Sequence, residues 1–357
     1  MKSNPSSKRA QRKRRLVLPT GYHSPLGLRE TEKGIKFIKD YFQDHLARAL
    51  NLTRVSAPIA VPKKTGINDY LTGVERPAGF MVKDTGERAE IVQSLAKWKR
   101  AALHDYGFEP GEGLYTDMNA IRPDEALDNL HSIYVDQWDW ERVMADGERN
   151  LAFLKAMVRK LYGIIRNAER AVCQRYPNLP GPYLPRTIPF IHSEELVRRY
   201  PKLSPAQRED AICRERGAVF IIGIGARLAD GHPHDERAAD YDDWTTETSK
   251  GRRGLNGDIL VWYPVLDHAF ELSSMGIRVD GKTLLRQLRV KGELQKRDLP
   301  YHRRLLNGRL PQTIGGGIGQ SRLCMLFLRK AHIGEVQSAI WPEGMVHSLK
   351  KHNVHIL

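Results

Sequence analysis

The run Gln312–Leu328, QTIGGGIGQSRLCMLFL, carries residue types suited to a phosphorylated ligand. Gly315, Gly316, Gly317 and Gly319 let backbone approach a flat or charged group closely. Arg322 follows on what should be the first turn of a buried helix, where a guanidinium can donate several hydrogen bonds to a phosphate. The run reads as a floor for a nucleotide with one fixed cation at its edge. A dinucleotide fingerprint fails on spacing, because Gln320 stands where the last glycine of G-x-G-x-x-G belongs, and Leu228 does the same in GIGARL. No G-x-x-x-x-G-K-[ST] occurs, which excludes a Walker P-loop.

Other clusters are weaker alone. Asp230–Trp244, DGHPHDERAADYDDW, gathers His232, His234 and several acids. Imidazole and carboxylate both ligate metals, but His-x-His without an HExxH helix is a thin signal. We read the stretch as a polar loop at the mouth of a site, with Arg237 and Asp242 as ligand contacts. Glu271 precedes Arg278 by seven residues, so strand alternation puts them on opposite faces unless a bulge at Ser273-Ser274 re-aims one. Arg122 lies beside two acids in IRPDE, near a turn. Lys97, Lys99 and Arg100 in SLAKWKR read, by themselves, as a solvated helix face.

These groups need a scaffold, and the apolar pattern supplies one. Ile35, Ile38, Phe42, Leu46 and Leu50 form a stripe that predicts a helix over 31–50, stopped at Asn51. RVSAPIAV reads as a strand ended near Pro58. A helix is predicted within 91–104, a half-buried strand at 133–140, and a long helix over 148–175 ended by a proline-rich run. Ser204-Pro205 with Gln207 has the form of a capping box, Gly217 a helix stop, and AVFIIGIG a buried strand. Further strands fall at 258–263 and 270–279. There is no repeat and no regular βαβ alternation, so the fold expected is α+β, an antiparallel or mixed sheet with helices packed around it.

The chain has 357 residues and 41% hydrophobic content, enough for a large core. Formal net charge is +15, yet residues 1–15 hold seven cations and no acid, leaving +8 elsewhere. Residues 1–30 are expected to form a basic extension without a fold of its own, and 31–357 a single catalytic domain. The arm suits either a nucleic-acid or targeting role or a solvated tail. It has no signal-peptide core, and no apolar stretch is long enough to span a bilayer. Cys173, Cys213 and Cys324 are far apart in apolar contexts and read as reduced residues of a cytoplasmic protein.

Together the pieces resemble the class II aminoacyl-tRNA synthetases. The run ending in Arg322 resembles their motif 3. Arg122 with the YVDQWD strand resembles motif 2 of the aspartyl branch, and helix 31–50 with the strand at Pro58 resembles motif 1, the usual dimer element. The closer resemblance is to the ammonia-dependent asparagine synthetases (aspartate–ammonia ligases), carried by SLAKWKR, EGLYTDMNAIRPDE, HSIYVDQWDWERVMADGERN, DYDDW, LNGDILVW, FELSSMGIRVD and PQTIGGGIGQSR. That resemblance implies a mainly antiparallel sheet of six to eight strands flanked by helices, in a homodimer without an anticodon-binding domain. It implies synthesis of asparagine from aspartate, ammonia and ATP, with AMP and pyrophosphate released and a β-aspartyl adenylate between. An aspartyl- or asparaginyl-tRNA synthetase, or a non-catalytic nucleic-acid-binding relative, remain the alternatives. The first thiol is Cys173, so no N-terminal glutaminase cysteine is expected.

The resemblance also assigns roles. Arg122 would hold the α-phosphate and Arg322 the γ-phosphate or adenine. Arg237, Asp242, Gly317 and Gly319 would bound the nucleotide, and Asp258 and Glu271 would hold Mg2+. Lys99 and Arg278 would clamp the aspartate α-carboxylate, with Gln137 and Ser273 nearby and Asp69 and Asp139 on its ammonium. Asp69, in the glycine-bounded stretch TGINDYLTG, would close over the site, and either contacts the amino group alone or also accepts a proton from ammonium.

Overall fold

The computed structural model describes residues 16–72 and 75–357. The basic segment 1–15, and any role for it, lies outside the described residues. The first helix is α1 (Leu28–Leu50), followed by β1 (Leu52–Arg54), β2 (Ala60–Pro62), β3 (Gly79–Val82), β4 (Glu87–Ile91), α2 (Ala96–Asp105), β5 (Gly113–Ile121) and β6 (Tyr134–Val143). The middle holds α3 (Leu151–Arg175), β7 (Phe190–His192), α4 (Ser193–Arg199), α5 (Pro205–Arg216), β8 (Ala218–Ile222), β9 (Glu247–Ser249) and β10 (Arg252–Arg253). The chain continues through β11 (Asn256–Tyr263), β12 (His268–Ile277), α6 (Gly281–Lys291), α7 (Pro300–Leu306), β13 (Thr313–Gly319), α8 (Gln320–Phe327) and α9 (Glu343–Lys351).

Eight strands form one sheet in the order β1-β5-β6-β13-β12-β11-β8-β7. The outer pairs β1–β5 and β7–β8 are parallel, and the pairs between them are antiparallel. Residues 16–27 are irregular but anchored: the Val17 N–H donates to Asn129 Oδ1 at 2.7 Å, and the Tyr22 hydroxyl donates to Glu335 Oε1 at 3.0 Å. The helix stop at Asn51 adopts the left-handed conformation, and the capping box at Ser204 is formed. RVSAPIAV is not one strand. Pairing breaks after Arg54 and resumes at Ala60, as the fixed φ and missing N–H of Pro58 demand.

Burial divides the sheet into two faces. Trp138 and Trp140 of β6, Ile259 of β11, Met275 of β12 and Ile314 and Ile318 of β13 point into the main core, against Phe42 and Leu46 of α1 and Val158 and Ile165 of α3. The opposite face is apolar only at its ends. Val219, Ile221 and Leu260 pack with Ile212 of α5 at one end, and Val92, Met118 and Ala120 cluster at the other. Between them the sequence puts polar residues where a two-sided core would be apolar. Strand 133–140 was expected to be half-buried; β6 is covered on both faces, by α8 and Phe42 of α1 on one and by α2 on the other.

Candidate active site

Alternation decides which side chains meet on that second face. With Trp138 and Trp140 in the core, Gln137, Asp139 and Glu141 project from β6 to the other side. Gly315, Gly317 and Gly319 lie directly opposite them on β13. A side chain on Gly315 would strike the Glu141 carboxylate, and one on Gly317 the Gln137 carboxamide. The glycines therefore are not a bare nucleotide floor. Gly315 and Gly317 clear space for two side chains of the neighbouring strand, and Gly319 clears it for the Arg322 side chain.

The expected bulge exists, one residue earlier than placed. Ile259 pairs with Ser273 but Leu260 pairs with Glu271, so Leu272 is the extra residue. It brings Glu271, Ser274 and Arg278 to one face despite odd spacing. It also corrects the role of Ser273. That residue stands opposite Ile259 and Ile318, two residues of the main core, and its hydroxyl has no hydrogen-bond partner among the described residues. Ser274, paired with Asp258, occupies the site face instead.

One half of the face is a set of closed ion pairs. The Lys99 ammonium, wholly buried, contacts Asp139 and donates to the Trp140 carbonyl at 2.9 Å. Arg278 donates from Nε to Glu141 Oε1 at 3.0 Å, from Nη2 to Oε2 at 2.7 Å, and from Nη1 to Asp242. Asp242 thus braces Arg278. Glu141 also accepts from Thr313 at 2.7 Å, and burial is outweighed by Arg278, which holds its carboxyl below the usual range. Lys97 donates to Asp240 at 3.0 Å and lies 3.8 Å from Asp69 Oδ1. Lys97, Lys99 and Arg100 are all buried, so the solvated-face reading of SLAKWKR is overturned.

Asp69 is fully buried, and its Oδ1 has no hydrogen-bond partner among the described residues. Burial pushes its pKa up to about 7 against the pull of Lys97, with Asp240 adding repulsion. The stretch carrying it is fastened to the acidic loop, because Leu71 O accepts from Ala238 N at 2.8 Å and from the Tyr241 hydroxyl at 3.3 Å.

The other half has cations with spare donors. Arg122, just past β5, gives one bond to the Gln93 carbonyl at 3.2 Å, and its Nε is buried without a partner. Burial depresses its pKa, and among the charges it feels are those of Arg322 and Glu271. Arg322 donates to the Glu271 carbonyl at 2.9 Å and lies 3.4 Å from its carboxylate. Arg237 bridges Asp235 at 2.5 Å and Asp258 at 2.7 Å. Burial raises the Asp258 pKa, and Glu271 adds to it. His234 sits apart, buried against Glu209 at 3.0 Å, and no group of three or more metal-binding side chains occurs among the described residues.

Sequence reading missed Glu141, Asp240, Lys97 and Ser274. Glu141 was findable: Gln137, Asp139 and Glu141 alternate with Trp138 and Trp140, the signature of a strand with one apolar and one chemical face. Ser274 was not, since its direction depends on the bulge.

Comparison with known proteins bears on this arrangement. The family model described as aspartate-ammonia ligase matches residues 29–353. An aspartate–ammonia ligase of Clostridium perfringens is 57% identical over 344 residues, 96% of this chain and 99% of the relative. That of Parabacteroides distasonis is 58% identical over 331 residues, 92% and 96% of the two chains. Among solved structures, an asparaginyl-tRNA synthetase of Pyrococcus horikoshii complexed with asparaginyl-adenylate matches with a TM-score of 0.64 at 16% identity, over 88% of this chain and 70% of that one. The Entamoeba histolytica asparaginyl-tRNA synthetase in complex with asparaginyl-adenylate gives 0.63 at 14%, over 87% and 66%. At such identities the structures share the fold alone, the catalytic fold of the class II synthetases. An eight-stranded sheet with this charged face, matched nearly end to end by close relatives, places the chain in the aspartate–ammonia ligase family.

Proposed function

We propose that the chain joins ammonia to the side chain of L-aspartate, using ATP and releasing AMP and pyrophosphate through a β-aspartyl adenylate. The observation that carries the reading is the division of one sheet face into a closed, pre-paired half and a half with unspent arginine donors. The first suits a zwitterion and the second a polyphosphate.

A carboxylate is a poor acyl donor because its leaving group would be oxide. Attack of the aspartate β-carboxylate on the α-phosphorus expels pyrophosphate and creates a mixed anhydride whose acyl carbon has AMP as its leaving group. Two anions meet in that step, so fixed cations stabilise it. Arg122 holds the α-phosphate and Arg322 the far phosphates or the base. Arg278, rigidly braced by Glu141 and Asp242, receives the α-carboxylate. The aspartate zwitterion exchanges partners with the Lys99–Asp139 pair, its carboxylate on Lys99 and its ammonium on Asp139, while Gln137 donates to a carboxyl oxygen. Asp258 and Glu271 supply oxygen ligands on the nucleotide side. Two carboxylates, one with an unpartnered oxygen, fit a magnesium ion that takes its remaining ligands from phosphates and water. Bound there, the ion would offset triphosphate charge. Asp69 binds ammonium and accepts one proton, ammonia attacks the acyl carbon, the C–O bond to AMP breaks, and the adduct gives its second proton to the departing AMP phosphate or to water.

We further propose a homodimer built on α1 and a cytoplasmic location. No helix among the described residues is long and apolar enough to cross a membrane. The test is direct: the purified chain with ATP, magnesium, aspartate and ammonium should form AMP and asparagine in equal amounts. Transfer of labelled aspartate to tRNA without free asparagine would instead favour a tRNA synthetase. Asp69→Asn should keep aspartate-dependent exchange of pyrophosphate into ATP while asparagine formation falls about 100-fold. Equal loss of both would reduce Asp69 to a binding group.

A further inference from the structure

Two buried carboxylates compete for one lysine beneath the site. Lys97 Nζ lies 3.0 Å from Asp240 Oδ2 and 2.8 Å from the Gly66 carbonyl, but 3.8 Å from Asp69 Oδ1. Asp240 is held from behind by His302, whose Nε2 is 3.0 Å from the same oxygen, and all four side chains are buried. Tyr301 of α7 sits beside the lysine, with its ring centroid 5.9 Å from Nζ. The lysine is therefore drawn away from Asp69, whose Oδ1 is left without a hydrogen bond. An unpartnered carboxylate oxygen in a buried setting is costly unless a ligand completes it.

We propose that Asp240 is a positioning residue that withholds Lys97 from Asp69, keeping one Asp69 oxygen open for the substrate ammonium. Free of Asp240, the lysine would close the short gap to Asp69 and occupy the place of ammonium with a tethered cation. The pair Lys97–Asp240 is net neutral, so its joint removal leaves the charge around Asp69 nearly unchanged, whereas removal of Asp240 alone does not. The inference rests on the reading of Asp69 as the ammonium-binding carboxylate.

The test measures KM for ammonium, KM for aspartate and pyrophosphate exchange in the full chain. Asp240→Asn should raise KM for ammonium at least tenfold, with exchange changed less than twofold. Asp240→Asn combined with Lys97→Met should recover most of that loss, because the competing cation is gone. His302→Gln, which loosens Asp240 without removing its charge, should raise the same KM about threefold and serves if Asp240→Asn does not fold. Parallel changes in both KM values, no change in either, or a double variant no better than the single one would overturn the role of Asp240. An unchanged KM for ammonium in Asp69→Asn would instead remove the underlying reading of Asp69.

Discussion

The two halves of the charged sheet face treat their ions in opposite ways. On the amino-acid side Lys99, Arg278 and Lys97 each meet a buried carboxylate, so charge is cancelled before any ligand arrives. On the nucleotide side Arg237 and Arg322 lean on Asp258 and Glu271, but Arg122 has a buried Nε without a partner among the described residues and feels the like charge of Arg322. The contrast follows from what each half must bind. A zwitterion can enter by exchanging partners with existing pairs at little electrostatic cost. A triphosphate needs cations that have not already been neutralised.

The contrast predicts different failures. Breaking the amino-acid half should first break the fold. Glu141→Gln leaves Arg278 with Asp242 as its remaining buried carboxylate partner, and should cost about 1.5–3 kcal/mol of stability, read as a drop in denaturation midpoint. Breaking the nucleotide half should spare the fold and remove chemistry. Arg122→Ala should lower kcat for pyrophosphate exchange by about 10²–10³-fold with little change in melting temperature. If Arg122→Ala instead unfolds the chain and Glu141→Gln does not, the distinction between the halves is wrong.

Acid titration sharpens it. Asp69, raised by burial to about 7, is ionised only above that value. Below it, asparagine formation at fixed total ammonium should fall about tenfold per pH unit, while pyrophosphate exchange follows a different profile. Stability runs the other way. A carboxyl whose folded pKa is raised favours the folded state while protonated, and that contribution is lost as pH rises from about 4 through 7. Asp69→Asn should therefore flatten the decline in midpoint over that window. The smallest effect separates two adjacent residues: Ser273→Ala, relieving a buried hydroxyl without a partner, should be neutral or stabilising by about 0.5–1 kcal/mol and leave KM for ATP unchanged. Ser274→Ala should raise KM for ATP by about threefold.

Much of this was legible in the residues. Helix boundaries at Asn51, Ser204 and Gly217 follow from local capping chemistry, which the sequence states outright. The need for a bulge between Glu271 and Arg278 followed from parity once the family resemblance put both in one site. Its place at Leu272 did not, because register depends on the partner strand. Lys97, Lys99 and Arg100 read as a solvated surface for a related reason: a cation looks the same on a helix whether it faces water or a carboxylate brought from residue 139 by the sheet or from residue 240 by a loop.

Leu272 also ties the two reactions together. Were Leu272 paired in a regular ladder, strict alternation would turn Glu271 toward the tryptophan side while Ser274 and Arg278 kept their orientation; deleting Leu272 would instead join the two registers and leave Glu271 on the site face. The unbulged strand would still grip the amino acid but would present ATP with one carboxylate fewer and a misdirected Arg322 anchor. Recognition and activation thus share a face only because one residue is looped out, and deleting Leu272 alone should spare that arrangement where deleting Leu272 and Ser273 together would not.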